Sequence, residues 1–265
     1  MIHEARDDQD GADHEHRDAG RLPSPHGPLP LGPSSARLKS SPYADRVDRL
    51  EACLVDLYET LLSCDFTRIR GTLPKLAGVD ADAWREMYRD LIPALTLGQL
   101  TKAEAFARIM VANGVQPRPD LLRELSDRDR ELLVTCSRLY DDSVPFLKRL
   151  RSRGIKIAIV SNCSEHTHDM LDEIGVTALA DVLVLSCEVG AAKPDAEIFR
   201  FVLDRLGVSA GAAAFVDDQA SYCAGAAAMG ITAVRLVRGE IDGAADHPGF
   251  GMVRSLPEAE TVLFG

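Results

Sequence analysis

What this chain lacks narrows it first. Among 265 residues there is one Trp and 5% aromatic side chains, and the six cysteines (Cys53, Cys64, Cys136, Cys163, Cys187, Cys223) contain no Cys-x-x-Cys pair. The usual zinc modules and a disulfide framework are thereby disfavoured, and most thiols are expected as small core residues. No run approaches the roughly 18 apolar residues of a membrane helix, and the N-terminus is acidic and polar where a signal peptide is basic and then apolar. A cytoplasmic protein is expected. Positive charge is also scarce: 30 Lys and Arg face 41 Asp and Glu, a formal net charge of -11. That balance argues against a general nucleic-acid binder or a binder of anionic membranes, and leaves a small molecule as the expected partner. There is no internal repeat.

What is present begins after a polar start. Residues 1–46 mix acids, histidines, Gly, Pro and Ser without apolar periodicity, so too little surface is buried to offset ordering entropy, and a disordered acidic tail is expected. His3, His14, His16 and His26 within it read as solvated side chains. The next stretch, residues 52–57, is nearly all apolar, as in a strand buried on both faces, and Asp56 stands where that strand runs out. Residues 65–140 then carry helical periods and no convincing strand. One helix is expected over 81–94, with Trp84, Met87, Tyr88, Leu91 and Ile92 on one stripe. A second starts at Thr101, whose hydroxyl precedes Glu104 in a capping-box pattern, and stops at Asn113-Gly114. Pro117 and Pro119 precede a third, over 120–137.

From Ser143 onward, helices alternate with short apolar runs. Helices are expected over 144–153, 165–174, 195–206 and 220–229, and strands over 155–160, 182–185, 213–216 and 231–234. The helix start at Glu165 would turn His166 and His168 toward solvent. Alternation of this kind implies right-handed crossovers and a parallel sheet covered on both faces, an α/β fold.

Four strand ends carry polar groups: Asp56 with Thr60, Ser161 with Asn162, Lys193 before Pro194, and Asp217 with Asp218. Any one of them is explained by a structural cap. A parallel sheet, however, places all its strand C-termini along one edge, where the four sets converge. Together they have a chemical logic. Asp56 is a candidate carboxylate nucleophile, and Asp56, Asp217 and Asp218 offer the hard oxygens that Mg2+ takes. Lys193 adds positive charge, while Ser161, Asn162 and Thr60 are placed to hydrogen-bond a transferring phosphoryl group.

These segments, in this order, resemble motifs one to four of the haloacid dehalogenase superfamily over about residues 50–238. Residues 98–106 (Gly-Gln-Leu-Thr-Lys-Ala-Glu-Ala-Phe) resemble part of the helical cap of its subclass I. The resemblance implies a Rossmann-like core over 47–64 and 141–265, a mobile cap over 65–140, and a covalent aspartyl intermediate on Asp56. It implies catalytic roles for Asp56, Tyr58, Thr60, Ser161, Asn162 and Lys193, substrate contacts from Ser161, Asn162, Lys193 and Arg85, and Mg2+ held at Asp56, Tyr58, Asp217 and Asp218.

Two positions depart from the pattern. Most phosphatases of the family carry an acid two residues after the nucleophile, and here that position is Tyr58. A tyrosine, with a pKa near 10 when unperturbed, is a poor base for activating water at neutral pH. Tyr222 stands where an Asn commonly helps to fix the lysine. The expected function is a magnesium-dependent phosphatase of a small phosphorylated metabolite, using an ester with a good leaving group such as an acyl phosphate, or a proton supplied by cap or substrate. The alternatives are a 2-haloacid dehalogenase, which Tyr58 and Arg85 favour, and a noncatalytic protein that keeps the fold.

Overall fold

A computed structural model of the chain describes residues 50–239 and 249–264; the expected tail over 1–46 lies outside them. The chain enters through β1 (Ala52–Val55) and leaves along β2 (Leu62–Cys64) into four helices, α1 (Phe66–Ala77), α2 (Ala81–Thr96), α3 (Lys102–Ala112) and α4 (Pro119–Cys136). It returns through β3 (Ser137–Leu139), α5 (Ser143–Ser152), β4 (Lys156–Ser161), α6 (Thr167–Glu173), β5 (Val182–Leu185), the single turn α7 (Ser186–Val189) and α8 (Ala196–Leu206). It ends in β6 (Ala213–Asp217), α9 (Ala220–Ala228), β7 (Thr232–Leu236), β8 (Gly251–Val253) and α10 (Leu256–Phe264).

Six strands form one parallel sheet in the order β5-β4-β1-β6-β7-β8. Strand side chains alternate faces, and both faces are covered. Cys53, Val55, Ile157 and Ile159 point into one core with α5 and α10, while Ala52, Leu54, Ala158 and Phe215 point into the other with α8 and α9. Each fully buried Leu, Ile or Phe contributes about 1.5–3 kcal/mol, so this double burial fixes the strand register and with it the level at which each strand end stops. The chain reverses its direction of travel across the sheet at β1, which lies between β4 and β6. Parallel α/β sheets open a crevice at that point, beyond the strand C-termini.

The four helices α1–α4 stand away from the sheet on two thin stems. β2 and β3 pair antiparallel, Leu62 with Leu139 and Cys64 with Ser137, so both crossings between core and helices run through one short ribbon. Side-chain caps start three of the helices: Asp65 accepts from the Arg68 N–H, Asp80 from Asp82 and Ala83, and Thr101 and Glu104 form the expected reciprocal capping box, while α4 opens on Pro119 with no side-chain cap. Helix α1 was not separately expected, because Gly71 and Pro74 lie inside it. The helix expected to reach residue 137 gives way at Ser137 to the strand of the ribbon.

The helices also touch the core directly. The Lys102 N–H at the start of α3 donates to Glu165 Oε2 at 2.7 Å, and Ser126 of α4 lies 3.1 Å from His166 Nε2. The expected helix start at Glu165 with both histidines toward solvent is corrected in part: α6 starts at Thr167, and the turn before it, with His166 at φ 74, is recruited to the interface, while His168 is exposed as expected. At the other end of the contact Gly98, φ +65, is pressed so close to α7 that a Cβ there would fall 2.0 Å from the Cys187 carbonyl oxygen. His168 and Glu188 pair across α6 and α7 at 2.8 Å. All six cysteines are free, with Cys163 and Cys187 Sγ atoms 4.0 Å apart.

Candidate active site

Asp56 follows β1 directly, and its N–H is held by the Val216 carbonyl at 2.9 Å, so the nucleophile candidate is levelled against the end of β6. Ser161 and Asp217 are the last residues of β4 and β6, the two strands flanking β1. After Asp56 the chain folds back on itself, with Leu61 and Leu62 N–H groups both bonding the Leu57 carbonyl, and this turn returns Thr60 to the interior. The turn is gripped from outside by Arg238. Its guanidinium donates to the Thr60 carbonyl at 2.8 and 3.2 Å and to both oxygens of Asp142 at 2.8 and 3.2 Å, and stacks 3.9 Å from the centre of the Tyr140 ring. Nothing in the residue spacing pointed to Arg238, which lies 178 positions from Thr60.

Lys193 is the centre of charge. Its Nζ donates to Asp56 Oδ1 at 2.5 Å and to Asp217 Oδ2 at 2.7 Å. Burial alone would push the ammonium down, but the carboxylates of Asp56 and Asp217 outweigh it and hold Lys193 protonated, above its ordinary range. Asp217 is raised as well, which for a carboxyl favours the neutral form: burial and the Asp56 charge bring it to about 7 against the pull of Lys193. Burial and Asp56 likewise raise Asp218 to about 6. A two-way bond fixes the lysine backbone, since Asn162 Oδ1 accepts from the Lys193 N–H and Asn162 Nδ2 donates to the Lys193 carbonyl, each at 2.8 Å. Tyr222 completes this clamp. Its hydroxyl takes a bond from Asn162 Nδ2 at 3.1 Å, and its ring lies 5.0 Å from the Lys193 ammonium.

Two buried oxygens at this edge, Thr60 Oγ1 and Ser161 Oγ, have no hydrogen-bond partner among the described residues. An unsatisfied buried hydroxyl costs about 1–3 kcal/mol, which a bound oxyanion would relieve. Asp56, Asp217 and Asp218 bring one carboxylate oxygen each within 4.8 Å of one another. An all-oxygen donor set of high negative charge fits a hard cation such as Mg2+, which keeps several waters. The Tyr58 hydroxyl faces Thr167 Oγ1 at 3.4 Å.

The family model for haloacid dehalogenase-like hydrolases matches residues 50–230. The chain belongs to this family. Phosphatase MT3486 of Mycobacterium tuberculosis is 26% identical over 229 residues, covering 82% of this chain and 98% of the phosphatase. (S)-2-haloacid dehalogenase 4A of Burkholderia cepacia is 30% identical over 207 residues, covering 72% of this chain and 85% of the dehalogenase. A crystal structure of an HAD phosphatase from Thermococcus onnurineus matches the fold with TM-score 0.57 at 24% identity, covering 81% of this chain and 98% of that one. Phosphatases and dehalogenases thus flank this haloacid dehalogenase-like hydrolase at similar distance.

In this hydrolase, a cavity of about 560 Å³ opens between the four helices and the sheet edge, with Tyr58 and Asn162 on its core side. Burial pushes the Tyr58 hydroxyl far above its ordinary range, so it stays a phenol and is no base. Arg85, read from sequence as a substrate contact, lies at the cavity edge with a largely exposed side chain already paired to Asp82 at 2.7 Å. Sequence reasoning missed the charge inside. Lys102 is buried in the wall, donating to Tyr88 OH at 2.8 Å and to Asp129 Oδ1 at 3.3 Å. The Thr-x-x-Glu cap put Lys102 on a helix start, but no local pattern links it to Asp129, 27 positions away. No helix among the described residues is long and apolar enough to cross a membrane.

Proposed function

We propose that this hydrolase is a magnesium-dependent phosphatase of a small phosphomonoester, working through an aspartyl-phosphate on Asp56. The observation that supports this most is the convergence of Asp56, Asp217 and Asp218 within 4.8 Å, with Lys193 between two of them. So much negative charge suits a phosphoryl group only in the company of a cation. Unit charges of like sign 4 Å apart repel by about 4 kcal/mol at an effective dielectric near 20. Mg2+, when bound at Asp56, Asp217 and Asp218, supplies the charge that offsets this repulsion.

The chain's own residues do the rest. A carboxylate oxygen of Asp56 attacks phosphorus as the bond to the ester oxygen breaks, and the leaving oxygen departs with the electron pair and takes a proton from solvent water; a water then attacks phosphorus, its proton passing to the phosphate, and frees inorganic phosphate and the Asp56 carboxylate. Lys193, held by Asn162 and Tyr222, faces the transferring group with fixed positive charge. Thr60 Oγ1 and Ser161 Oγ donate to its oxygens. Residues 65–140 act as a cap that closes on the β2/β3 ribbon and excludes bulk water. The test is phosphate release from acetyl phosphate and aryl phosphates. It is expected with added Mg2+, abolished by chelation, and reduced at least about 10³-fold by Asp56→Asn, which removes the nucleophile.

A second reading, a 2-haloacid dehalogenase, draws support from Tyr58 and from Arg85 at the cavity edge. A halide leaves without a proton, so the missing acid costs that reaction nothing. Halide release from chloropropionate without added metal, together with no phosphate release from any ester, would establish it over the first.

A further inference from the structure

We infer that Cys163 and Cys187 are a site of reversible oxidation: a hydroperoxide joins them as a disulfide, and the bridged enzyme is slowed until a thiol reductant reopens it. The inference is independent of the choice between phosphatase and dehalogenase, because neither reaction uses these thiols.

The two Sγ atoms lie 4.0 Å apart, and a disulfide needs about 2.05 Å. The chain segments that carry them are already tied together. The Cys163 N–H donates to Ser186 Oγ at 2.9 Å, and that hydroxyl donates to the Cys163 carbonyl at 3.2 Å. Closing the gap therefore asks for side-chain rotation and a small local shift, without the travel of a whole element. The thiols also face different spaces. Cys163 is buried and lines the large cavity between the helices and the sheet edge. Cys187 is half-buried and lines a second crevice of about 440 Å³, walled by Leu95, Gly98 and Leu100 on the helical side and by Glu165 and His166 on the core side. That crevice gives a small peroxide its way to Cys187. The hydrogen bond from Cys163 holds the Cys187 thiol below its ordinary range against burial and the Glu188 carboxylate, and the thiolate is the form that reacts.

The step balances with the hydroperoxide as its one co-reactant. The Cys187 sulfur attacks a peroxide oxygen, the O–O bond breaks, and the departing oxygen takes a proton and leaves as water or an alcohol. Cys187 is then a sulfenic acid. The Cys163 sulfur attacks the Cys187 sulfur, the S–S bond forms as the S–O bond breaks, and hydroxide leaves with the Cys163 proton as water. Two electrons pass from the sulfurs to the peroxide.

The bridge reaches the site from two directions. Cys163 follows Asn162, whose amide fixes the Lys193 backbone through both its oxygen and its nitrogen. Cys187 carries the carbonyl against which Gly98 is seated. Drawing the sulfurs together pulls on the lysine clamp and on the seat of the helices at once, and a misplacement of about 1 Å near reacting groups costs up to about 10²-fold in rate.

The test treats the full chain with a small excess of hydrogen peroxide and maps its thiols by mass spectrometry of unreduced peptides, which needs no variant. The expected result is a linked pair of peptides carrying Cys163 and Cys187, lighter by two hydrogens, with the fully buried Cys53 and Cys223 unmodified. Phosphate release from acetyl phosphate, or halide release from chloropropionate if that is the reaction, should fall at least about tenfold in step with the bridge and return with dithiothreitol. Cys187→Ser should leave the reduced rate unchanged and remove both the bridge and the response. Cys163→Ser, which lacks the resolving sulfur, should hold Cys187 as a sulfenic acid that dimedone labels. Bridges between other cysteines, oxidation of Cys187 to the sulfinic acid without a bridge, or an unlabelled Cys187 overturn the inference. A complete bridge that leaves turnover unchanged, or a loss that persists in Cys187→Ser, does so as well. If neither substrate is turned over, the proposed function fails alone. The emission of Trp84, the single tryptophan and part of the cavity wall on α2, then takes the place of turnover. It should shift with the bridge and return on reduction, and an unmoved emission overturns the inference.

Discussion

Tyr58 stands where the proton chemistry of this site would otherwise reside, and burial keeps it a neutral phenol across the working pH range. Its removal should therefore matter little: Tyr58→Phe is expected to leave steady-state phosphate release within about threefold and its pH profile unshifted. Tyr58→Asp should do the opposite, raising turnover of alkyl phosphates about 10²-fold by restoring an acid and base, and adding an ionisation to the pH profile. Stopped-flow release of phenol against phosphate adds a sharper check. Without a base at position 58, the phenol should appear in a burst and the phosphate at a slower, constant rate. Much of the candidate site was legible, because the strand-end acids, Ser161 and Asn162 lie next to recognisable apolar runs; Lys193, expected at the end of the Val182 strand, instead stands in the loop beyond α7. What Tyr222 does was not. Its hydroxyl and ring serve two different partners, Asn162 and Lys193, and both contacts depend on the fold of residues 60 and 29 positions away.

At the scale of elements, the strands of the core were readable from their apolar content and the helices from caps and glycine stops, since those signals are local. The ribbon β2/β3 was not. Each strand is three residues long, and the pairing of Leu62 with Leu139 joins segments separated by the four helices α1–α4. Helix α1 hid behind Gly71 and Pro74, residues that ordinarily argue against a helix interior. The β1–β2 turn depends on another distant element, the segment after β7 that carries Arg238. Arg238→Met leaves the Thr60 carbonyl without its guanidinium donor and the Asp142 carboxylate with the Leu256 N–H alone. Urea denaturation should show a loss of about 2–3 kcal/mol, the usual worth of hydrogen bonds to a charged partner. Because Thr60 moves with that turn, kcat should fall more than KM rises.

For the whole molecule, acidity bears on the proposed metal. A net charge of -11 with three acids gathered at one strand edge makes the apo protein self-repelling there. Mg2+ at about 100 times its Kd should stabilise the fold by about 2.7 kcal/mol, read as a rise in Tm of several degrees, and Asp218→Asn should shrink that rise. Calcium at equal concentration offers the same charge in a looser shell and should raise Tm without supporting turnover at the same rate.

The close approach of Gly98 to the Cys187 carbonyl carries one more consequence. With room for no side-chain atom between them, any larger residue must lift the helical lobe off its seat by the thickness of a methyl group. Gly98→Ala should thus leave the fold intact while admitting solvent to the chamber. Methanol or glycerol added to such a variant should compete with water for the phosphoryl group of the proposed aspartyl-phosphate and yield new phosphate esters, detectable by phosphorus NMR, where the parent enzyme yields almost none. The missing side chain at one loop position would then be what keeps a hydrolase from behaving as a transferase.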